Sequence, residues 1–323
     1  MTLPLTADEA GQLAMVQILL VAVGAGVASA LAAIGVVLLP LAPLPILIAA
    51  LGWSHLVGLI AAVLASAITG LIFGFDFSLS FLVGVGLPAW WLAYLSLLAR
   101  PGGANGSGTV EWYPVGRLVF WAAALGALLV AVAMLGVGTE VATLQSEMRS
   151  AMTQALAVWT KSTPEMVDGR LVDAMIRAAP PAAAVMLTIL YTFNLWLAGR
   201  IVNLSGRLRR PWPDLPAMAL PNFTPGVLAA AIAGAFLPDL PGMLSRVLVT
   251  CLLMAYAMMG LAVLHAITRG TASRGLVLTG TYFAVIILSW PMLVLSLLGL
   301  AETAFNIRAR FASPAARPPT TPT

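Results

Sequence analysis

Long apolar runs separated by short polar loops occupy almost the whole chain. A helix needs about 20 apolar residues to cross the hydrocarbon core of a bilayer. Seven runs reach that length and predict membrane-spanning helices at residues 14–39, 55–74, 77–100, 117–137, 179–202, 243–268 and 276–302. The runs are continuously apolar and lack the alternation of a barrel strand. The pattern therefore predicts an all-α, polytopic transmembrane helix bundle.

Two shorter apolar runs, residues 41–53 and 225–237, are bounded by prolines. Runs of this length can be short crossing helices or segments that enter the bilayer and return. Proline frees backbone groups that then need partners, and broken helices in the two halves of a chain often mark a mid-membrane binding site in transporters. Pro43 and Pro45 are therefore candidate binding-site residues. The pattern leaves open whether the two segments span or re-enter.

The segment 139–178 is a long polar insertion between two predicted spans. Its apolar residues recur near helical spacing in two stretches, and Ser162-Thr163-Pro164-Glu165 has the pattern of a helix N-terminal capping box. We expect an extramembrane amphipathic helical hairpin that either lies on the membrane surface or offers a docking surface to an envelope partner. We treat residues 1–311 as one polytopic membrane domain containing this hairpin, and the proline-rich residues 312–323 as a disordered tail.

The charged residues of the loops orient the helices. The loop 199–224 carries four arginines against one aspartate, whereas 139–178 carries four basic and five acidic residues. Basic short loops stay in the cytoplasm, so we expect the first segment inside and the second outside. The same rule does not decide the side of the two chain ends. One arrangement with an external N-terminus and an internal tail leaves Arg269 and Arg274 outside, against the rule.

Composition supports the membrane assignment. Hydrophobic residues make up 61% of the 323 residues and charged residues only 9%, against about 25% charged in ordinary soluble domains. The formal charge of +4 does not indicate nucleic-acid binding, because the basic residues lie in the loops between apolar runs. No Lys or Arg precedes the run 14–39, which is also longer than the core of a signal peptide, so we expect a retained helix. Cys251 is the single cysteine and can form no intrachain disulfide.

The sequence contains no motif for catalysis or for binding a metal or cofactor. It has no Walker lysine loop and no zinc-ligand spacing, and His55 and His265 are far apart in the chain. The twelve acidic residues lie in loops or at helix ends, whereas ion-coupled transporters usually carry an ionisable group in mid-membrane. We therefore expect no enzyme activity, no metal and no cofactor.

Three polar residues in or beside the spans complete the candidate substrate-binding set. Asn194 lies within a predicted span, where an amide is costly unless it is hydrogen-bonded. It can join two helices or contact a ligand. Arg200 can be an anchor that reaches the cytoplasmic interface, and His265 can satisfy a hydrogen bond in the core or contact a ligand. Together with Pro43 and Pro45, these residues are the predicted site.

Small residues recur at helical spacing in the first predicted span, at Gly24, Ala28 and Ala32. Such stripes let two helices approach closely in lipid. The stripe indicates either packing within the bundle or a docking seam for another membrane subunit.

Five short stretches occur in a characteristic order: Leu44-Pro45, Asn194-Leu195-Trp196-Leu197-Ala198-Gly199-Arg200, Gly260-Leu261-Ala262-Val263-Leu264-His265, Leu298-Gly299-Leu300 and Asn306-Ile307-Arg308-Ala309-Arg310. Over residues 14–311 they resemble the YybS-like family of bacterial membrane proteins. Leu204-Ser205-Gly206 departs from that family, in which we expect an Asn-Pro-Gly-Gly-type turn. The resemblance implies a bacterial inner-membrane protein, distantly similar to the substrate-binding subunits of energy-coupling-factor transporters and to a rod-shape assembly protein.

Two functions are consistent with these features. The first is a small-molecule-binding or transport component in the bilayer that borrows its energy from other membrane subunits or ATPase subunits. Replacing Asn194, or Pro43 together with Pro45, should then abolish ligand binding. The second is a non-transporting membrane scaffold for cell-envelope assembly or division, which would depend on the predicted outer hairpin.

Overall fold

The computed structural model describes residues 7–35, 38–102, 109–137, 141–161, 163, 168–288 and 290–311. The helices are α1 (Ala7–Ile34), α2 (Pro43–Gly52), α3 (His55–Phe73), α4 (Phe75–Phe81), α5 (Leu87–Ser96), α6 (Val115–Val137), α7 (Val141–Thr160), α8 (Gly169–Leu204), α9 (Thr224–Gly234), α10 (Asp239–Ile267), α11 (Arg274–Leu288), α12 (Pro291–Phe305) and α13 (Ile307–Phe311). The predicted all-α helical bundle is confirmed.

Within the described residues, six helical segments are long and apolar enough to cross a membrane: Ala14–Ile34, His55–Phe73, Phe75–Ser96, Val115–Gly136, Gly169–Leu204 and Asp239–Ile267. The predicted seventh span, 276–302, is divided into α11 and α12. Pro291 is the first residue of α12. A proline inside a helix removes a hydrogen bond and clashes with the preceding turn, so one helix stops and another begins.

Two local features differ from the sequence pattern. The second amphipathic stretch of segment 139–178 forms the first turns of α8, so it is continuous with the membrane span. The proposed capping box at 162–165 lies outside the described residues, apart from Thr163. A short antiparallel pair, β1 (Ala99–Gly102) and β2 (Thr109–Trp112), stands on either side of the glycine-rich sequence 103–108. An exposed ion pair of 2.8 Å joins Arg100 to Glu111 across it.

Several chain segments meet at residues 205–223, which we call the basic loop. Arg209 donates a hydrogen bond of 2.7 Å to the carbonyl of Trp53, before α3. Asp214 forms an ion pair of 2.7 Å with Arg269, after α10. Arg308, in α13, donates to carbonyls of the same loop. These segments therefore lie at one end of the bundle, which the positive-inside rule assigns to the cytoplasm.

These contacts determine the path of the last helices. α10 has 29 residues and is about 43 Å long, so its start lies at the end of the bundle opposite Asp214. The preceding segment with α9 must therefore cross the bundle. α11 begins, and α12 ends, beside the basic loop, so residues 274–305 form a helical hairpin that enters and leaves at the same end. Arg269 and Arg274 thereby lie on the side that the positive-inside rule requires.

Close packing holds α12 against α10. A Cβ atom on Gly260 would lie 1.9 Å from the carbonyl oxygen of Leu295, and one on Gly299 would lie 2.1 Å from that of Tyr256. The two glycines thus meet where the helices cross. Because α10 and α12 both end beside the basic loop, they run parallel towards it. Only glycine permits this contact between the two backbones.

α1 runs parallel to α3, because contacts further along α1 meet residues further along α3. Ala22 packs with Val57, and Ala30 packs with Ala65. The start of α1 therefore lies at the basic-loop end, and α2 returns the chain to that end. The arrangement with an external N-terminus disagrees with this packing. The small residues Ala22, Gly26 and Ala30 are buried, whereas Gly24 and Ala28 remain exposed on the outer face.

Candidate ligand-binding cavity

A cavity of about 490 Å³ lies between α8, α10 and the basic loop. α11 and the ends of α2, α5 and α6 complete its wall. Most of the wall is apolar, with side chains such as Leu118, Ile189 and Leu261. The wall runs along α8 from Ile189 to Gly199, which is about 15 Å towards the basic-loop end of the bundle.

Arg210 supplies the fixed charge of the wall. Its Nη1 donates hydrogen bonds to the carbonyls of Ser96, at 3.1 Å, and of Tyr113, at 3.4 Å. Ser96 ends α5, and the C-terminal carbonyls of a helix favour a cation. Burial lowers the pKa of the Arg210 guanidinium, although arginine stays protonated in proteins. The Nε–H group is buried without a hydrogen-bond partner in the described residues.

His265 and Tyr282 form a polar pair on the wall between α10 and α11. Nδ1 of His265 lies 2.9 Å from the carbonyl oxygen of Leu261, and Nε2 lies 3.4 Å from the Tyr282 hydroxyl. Because a carbonyl only accepts, Nδ1 carries the proton and Nε2 is free to accept from tyrosine. The His265–Tyr282 contact therefore links α10 to α11 at the cavity wall.

Trp212 forms the part of the wall nearest the C-terminal end of α8. Its ring lies against Gly199 of α8, since a Cβ atom on that glycine would be 3.6 Å from the ring. Arg200 covers the ring with its guanidinium 5.2 Å from the centroid. Pro211 and Pro213 flank the tryptophan and remove two backbone donors. The loop therefore extends across the helix ends and leaves space beneath it.

The last turn of the chain fixes the other side of the basic loop. Arg308 Nε donates to Oε1 of Glu302 at 2.8 Å, in a pair whose side chains are 18% and 4% exposed. Its Nη1 and Nη2 donate to the carbonyls of Pro216, at 2.7 Å, and Met218, at 3.1 Å. Because Pro216 and Met218 line the cavity, this buried pair positions the wall.

The structure does not bring the five predicted site residues together. His265 lines the cavity, and Arg200 lies behind Trp212. Pro43 and Pro45 lie in the first turn of α2, outside the cavity wall. Asn194 is on the face of α8 that meets the segment before α2.

Asn194 joins α8 to the proline-rich turn. Its fully buried amide Nδ2 donates to the carbonyls of Pro40 and of Leu190, each at 2.8 Å. Pro43 has no N–H, so it cannot donate to the Pro40 carbonyl three residues earlier. The asparagine supplies that missing donor. This geometry favours the helix-joining interpretation of Asn194 over contact with a ligand.

A family model described as "Predicted membrane protein (DUF2232)" matches residues 18–303. The chain belongs to this family. The matched part of this DUF2232 protein contains every residue of the cavity wall, whereas Arg308 lies beyond it. No curated protein and no solved structure gives a significant match to the chain.

Sequence reasoning missed three important residues of this DUF2232 protein's cavity: Arg210, Trp212 and Tyr282. In the sequence, Arg210 is one of several basic residues of its loop. Its partial burial depends on contacts with residues about 100 positions away, which the sequence does not show. The Pro-Trp-Pro sequence at 211–213 is the signal that could have indicated a rigid aromatic element. Among the described residues, no group of three His, Cys, Asp or Glu side chains is arranged to hold a metal ion.

Proposed function

We propose that the chain binds a small, largely apolar molecule in the cavity between α8, α10 and the basic loop. The observation that carries this proposal is an apolar space of about 490 Å³ with a few convergent polar groups. Small-molecule sites typically enclose about 300–1,000 Å³ and combine apolar walls with a small number of polar contacts. Arg210, His265 and Tyr282 are those contacts here.

We further propose that binding serves transport across a bacterial inner membrane, with energy supplied by partner subunits such as ATPases, and that the chain itself is not an enzyme. Two features support this role. The acidic residues lie in loops or near helix ends, so an internal ion-coupling carboxylate is not evident. The exposed Gly24 and Ala28 on α1 offer a face that another membrane helix could approach. The resemblance to YybS-like proteins, and through them to energy-coupling-factor subunits, points the same way.

Filling the cavity tests the binding proposal. Ala262 lines the cavity and is half-buried, so Ala262→Phe should occupy the space that the ligand needs. The matched control is Ala229→Phe on the exposed face of α9. Native mass spectrometry of the protein in mild detergent should detect a retained small molecule in the wild type and in Ala229→Phe. Its loss from Ala262→Phe alone is expected. Equal retention by all three proteins would reject the cavity as the site.

A membrane scaffold is the second candidate function, because the end of α7 exposes two large apolar side chains. Val158 is 80% exposed and Trp159 is 83% exposed, near the end of the helix. Replacing both by serine should reduce recovery of an envelope-assembly partner if the scaffold role is correct. Unchanged partners together with unchanged cell shape would count against it.

A further inference from the structure

We propose that the ligand is an amphiphile with an acidic headgroup, a carboxylate or a phosphate, which is held by Arg210. Its single hydrocarbon chain would lie along α8 and α10 and reach the bilayer between α8 and α11. This inference rests on the proposed binding function and names the chemical class of the ligand. The acid could come from a membrane lipid or from a soluble metabolite, and the proposal is that it is a membrane lipid.

The charge on Arg210 is not neutralised by another side chain. In the part of the chain that the structure describes, the ion pairs join Arg100 to Glu111, Arg149 to Asp173, Arg269 to Asp214 and Arg308 to Glu302. Arg210 instead bonds to two neutral carbonyls through Nη1. Arg210 is half-buried, and a half-buried cation without a counter-ion is destabilised by partial desolvation, which an anionic ligand would offset.

The guanidinium also retains a donor for such a ligand. Its Nε–H is buried without a partner among the described residues, although buried donors are almost always satisfied. Arginine presents its donors in a planar fork that matches the two oxygens of a carboxylate or phosphate. With Nη1 used by the protein and Nε enclosed by it, Nη2 is the donor left for a ligand in the cavity.

The apolar wall is the reason for proposing that the ligand carries a hydrocarbon chain. From Arg210 the cavity extends along α8 past Trp196 and Thr192 to Ile189, beside Met258 and Leu261 of α10. A soluble anion would leave this apolar wall uncovered, whereas a hydrocarbon chain would bury it. A cationic headgroup would be repelled by Arg210.

The cavity opens sideways towards the lipid. Phe193, Trp196 and Tyr282 line it and are 44%, 43% and 43% exposed. These aromatic side chains therefore form a mouth between α8 and α11. None of the described residues of α11 is buried, so this helix only lightly covers the opening. A lipid-like molecule could reach Arg210 from the cytoplasmic leaflet without leaving the membrane.

The test compares a charged and an uncharged probe on the full chain, purified in detergent and stripped of lipid. The probes are 11-bromoundecanoate and its methyl ester, because bromine quenches the fluorescence of nearby tryptophans such as Trp196 and Trp212. We expect saturable quenching, with the acid binding about tenfold or more tightly than the ester. Arg210→Gln should remove this preference by weakening the acid about tenfold and leaving the ester unchanged.

Two control variants separate charge from folding. Arg209→Gln removes the neighbouring charge, whose side chain bonds to the Trp53 carbonyl away from the cavity, and should behave as wild type. Arg210→Lys keeps the charge and should keep a preference for the acid. Both should be compared at matched thermal stability.

The binding results distinguish failure of the acidic headgroup from failure of ligand binding in the cavity. Equal binding of acid and ester, blocked for both by Ala262→Phe, would overturn the acidic headgroup while leaving cavity binding intact. Complete competition by butanoate at similar concentration would overturn the hydrocarbon chain and indicate a soluble acid. Quenching that is absent, or unaffected by Ala262→Phe, would overturn both proposals.

Discussion

Asn194 illustrates how a single polar residue can join membrane helices. It donates to the Pro40 carbonyl across 154 positions of sequence, and that carbonyl lacks the donor that Pro43 cannot supply. In lipid no water is present to replace the bond. The residue therefore stabilises the turn before α2.

Replacing Asn194 by leucine should lower stability by about 1–2 kcal/mol, because the Pro40 carbonyl loses its partner. Thermal unfolding in detergent measures the change. Thr281→Val is the control, since Thr281 bonds only to Val277 within its own exposed helix. Ligand retention should survive in Asn194→Leu, because Asn194 does not line the cavity. Loss of the ligand at unchanged melting temperature would show instead that Asn194 contacts it.

For single residues, the sequence predicts which side chains need hydrogen-bond partners, but it does not predict which residues supply them. An asparagine in a span, and a histidine near the end of another, are both conspicuous in an apolar background. Arg210 is not conspicuous, because several arginines share its loop. Its distinct role comes from burial by Ser96 and Tyr113, which only the folded chain brings near.

The α11–α12 hairpin is the element that the sequence pattern describes least well. Residues 276–302 are apolar and long enough for a crossing helix, with Pro291 as the main interruption. A proline can kink a span or divide it, and hydropathy alone does not distinguish the two. The folded chain makes the distinction: Arg274 before α11 and Arg308 after α12 both bond at the basic-loop end, so the segment turns back.

Cysteine labelling tests this topology in a Cys251→Ala background. Ser273 and Ala309 are exposed residues at the two ends of the hairpin, and Val158 is exposed on α7 at the opposite end of the bundle. We expect a membrane-impermeant maleimide to label Ser273→Cys and Ala309→Cys in inside-out vesicles only. Val158→Cys should label in right-side-out vesicles. Labelling of the first two from opposite sides would mean that residues 274–305 cross the membrane.

For most membrane-spanning helices, the apolar pattern is sufficient to predict the element. The segments that became α3, α6, α8 and α10 are recognisable because each span needs about 20 apolar residues. The sequence pattern does not show that the amphipathic start of α8 continues into the span, because the pattern changes from amphipathic to apolar within one continuous helix. The short β1–β2 pair was not predicted, because four-residue strands carry too little alternation to be detected.

For the whole molecule, the class of architecture follows from the sequence, whereas the cavity does not. The cavity exists because the basic loop extends across the helix ends, held by Arg308 with Glu302 and by Asp214 with Arg269. These are contacts between distant parts of the chain. The predicted site therefore captured His265 in the wall, but not the space that it faces.

The most direct test of a lipid-like ligand in this cavity is a cryo-electron microscopy structure in nanodiscs that retain the protein's own membrane lipids. We predict elongated non-protein density along α8, with one end within hydrogen-bonding distance of Arg210 and the other between Phe193 and Tyr282. A well-resolved cavity without such density, or one collapsed by α11 packing onto α8, would contradict the proposal.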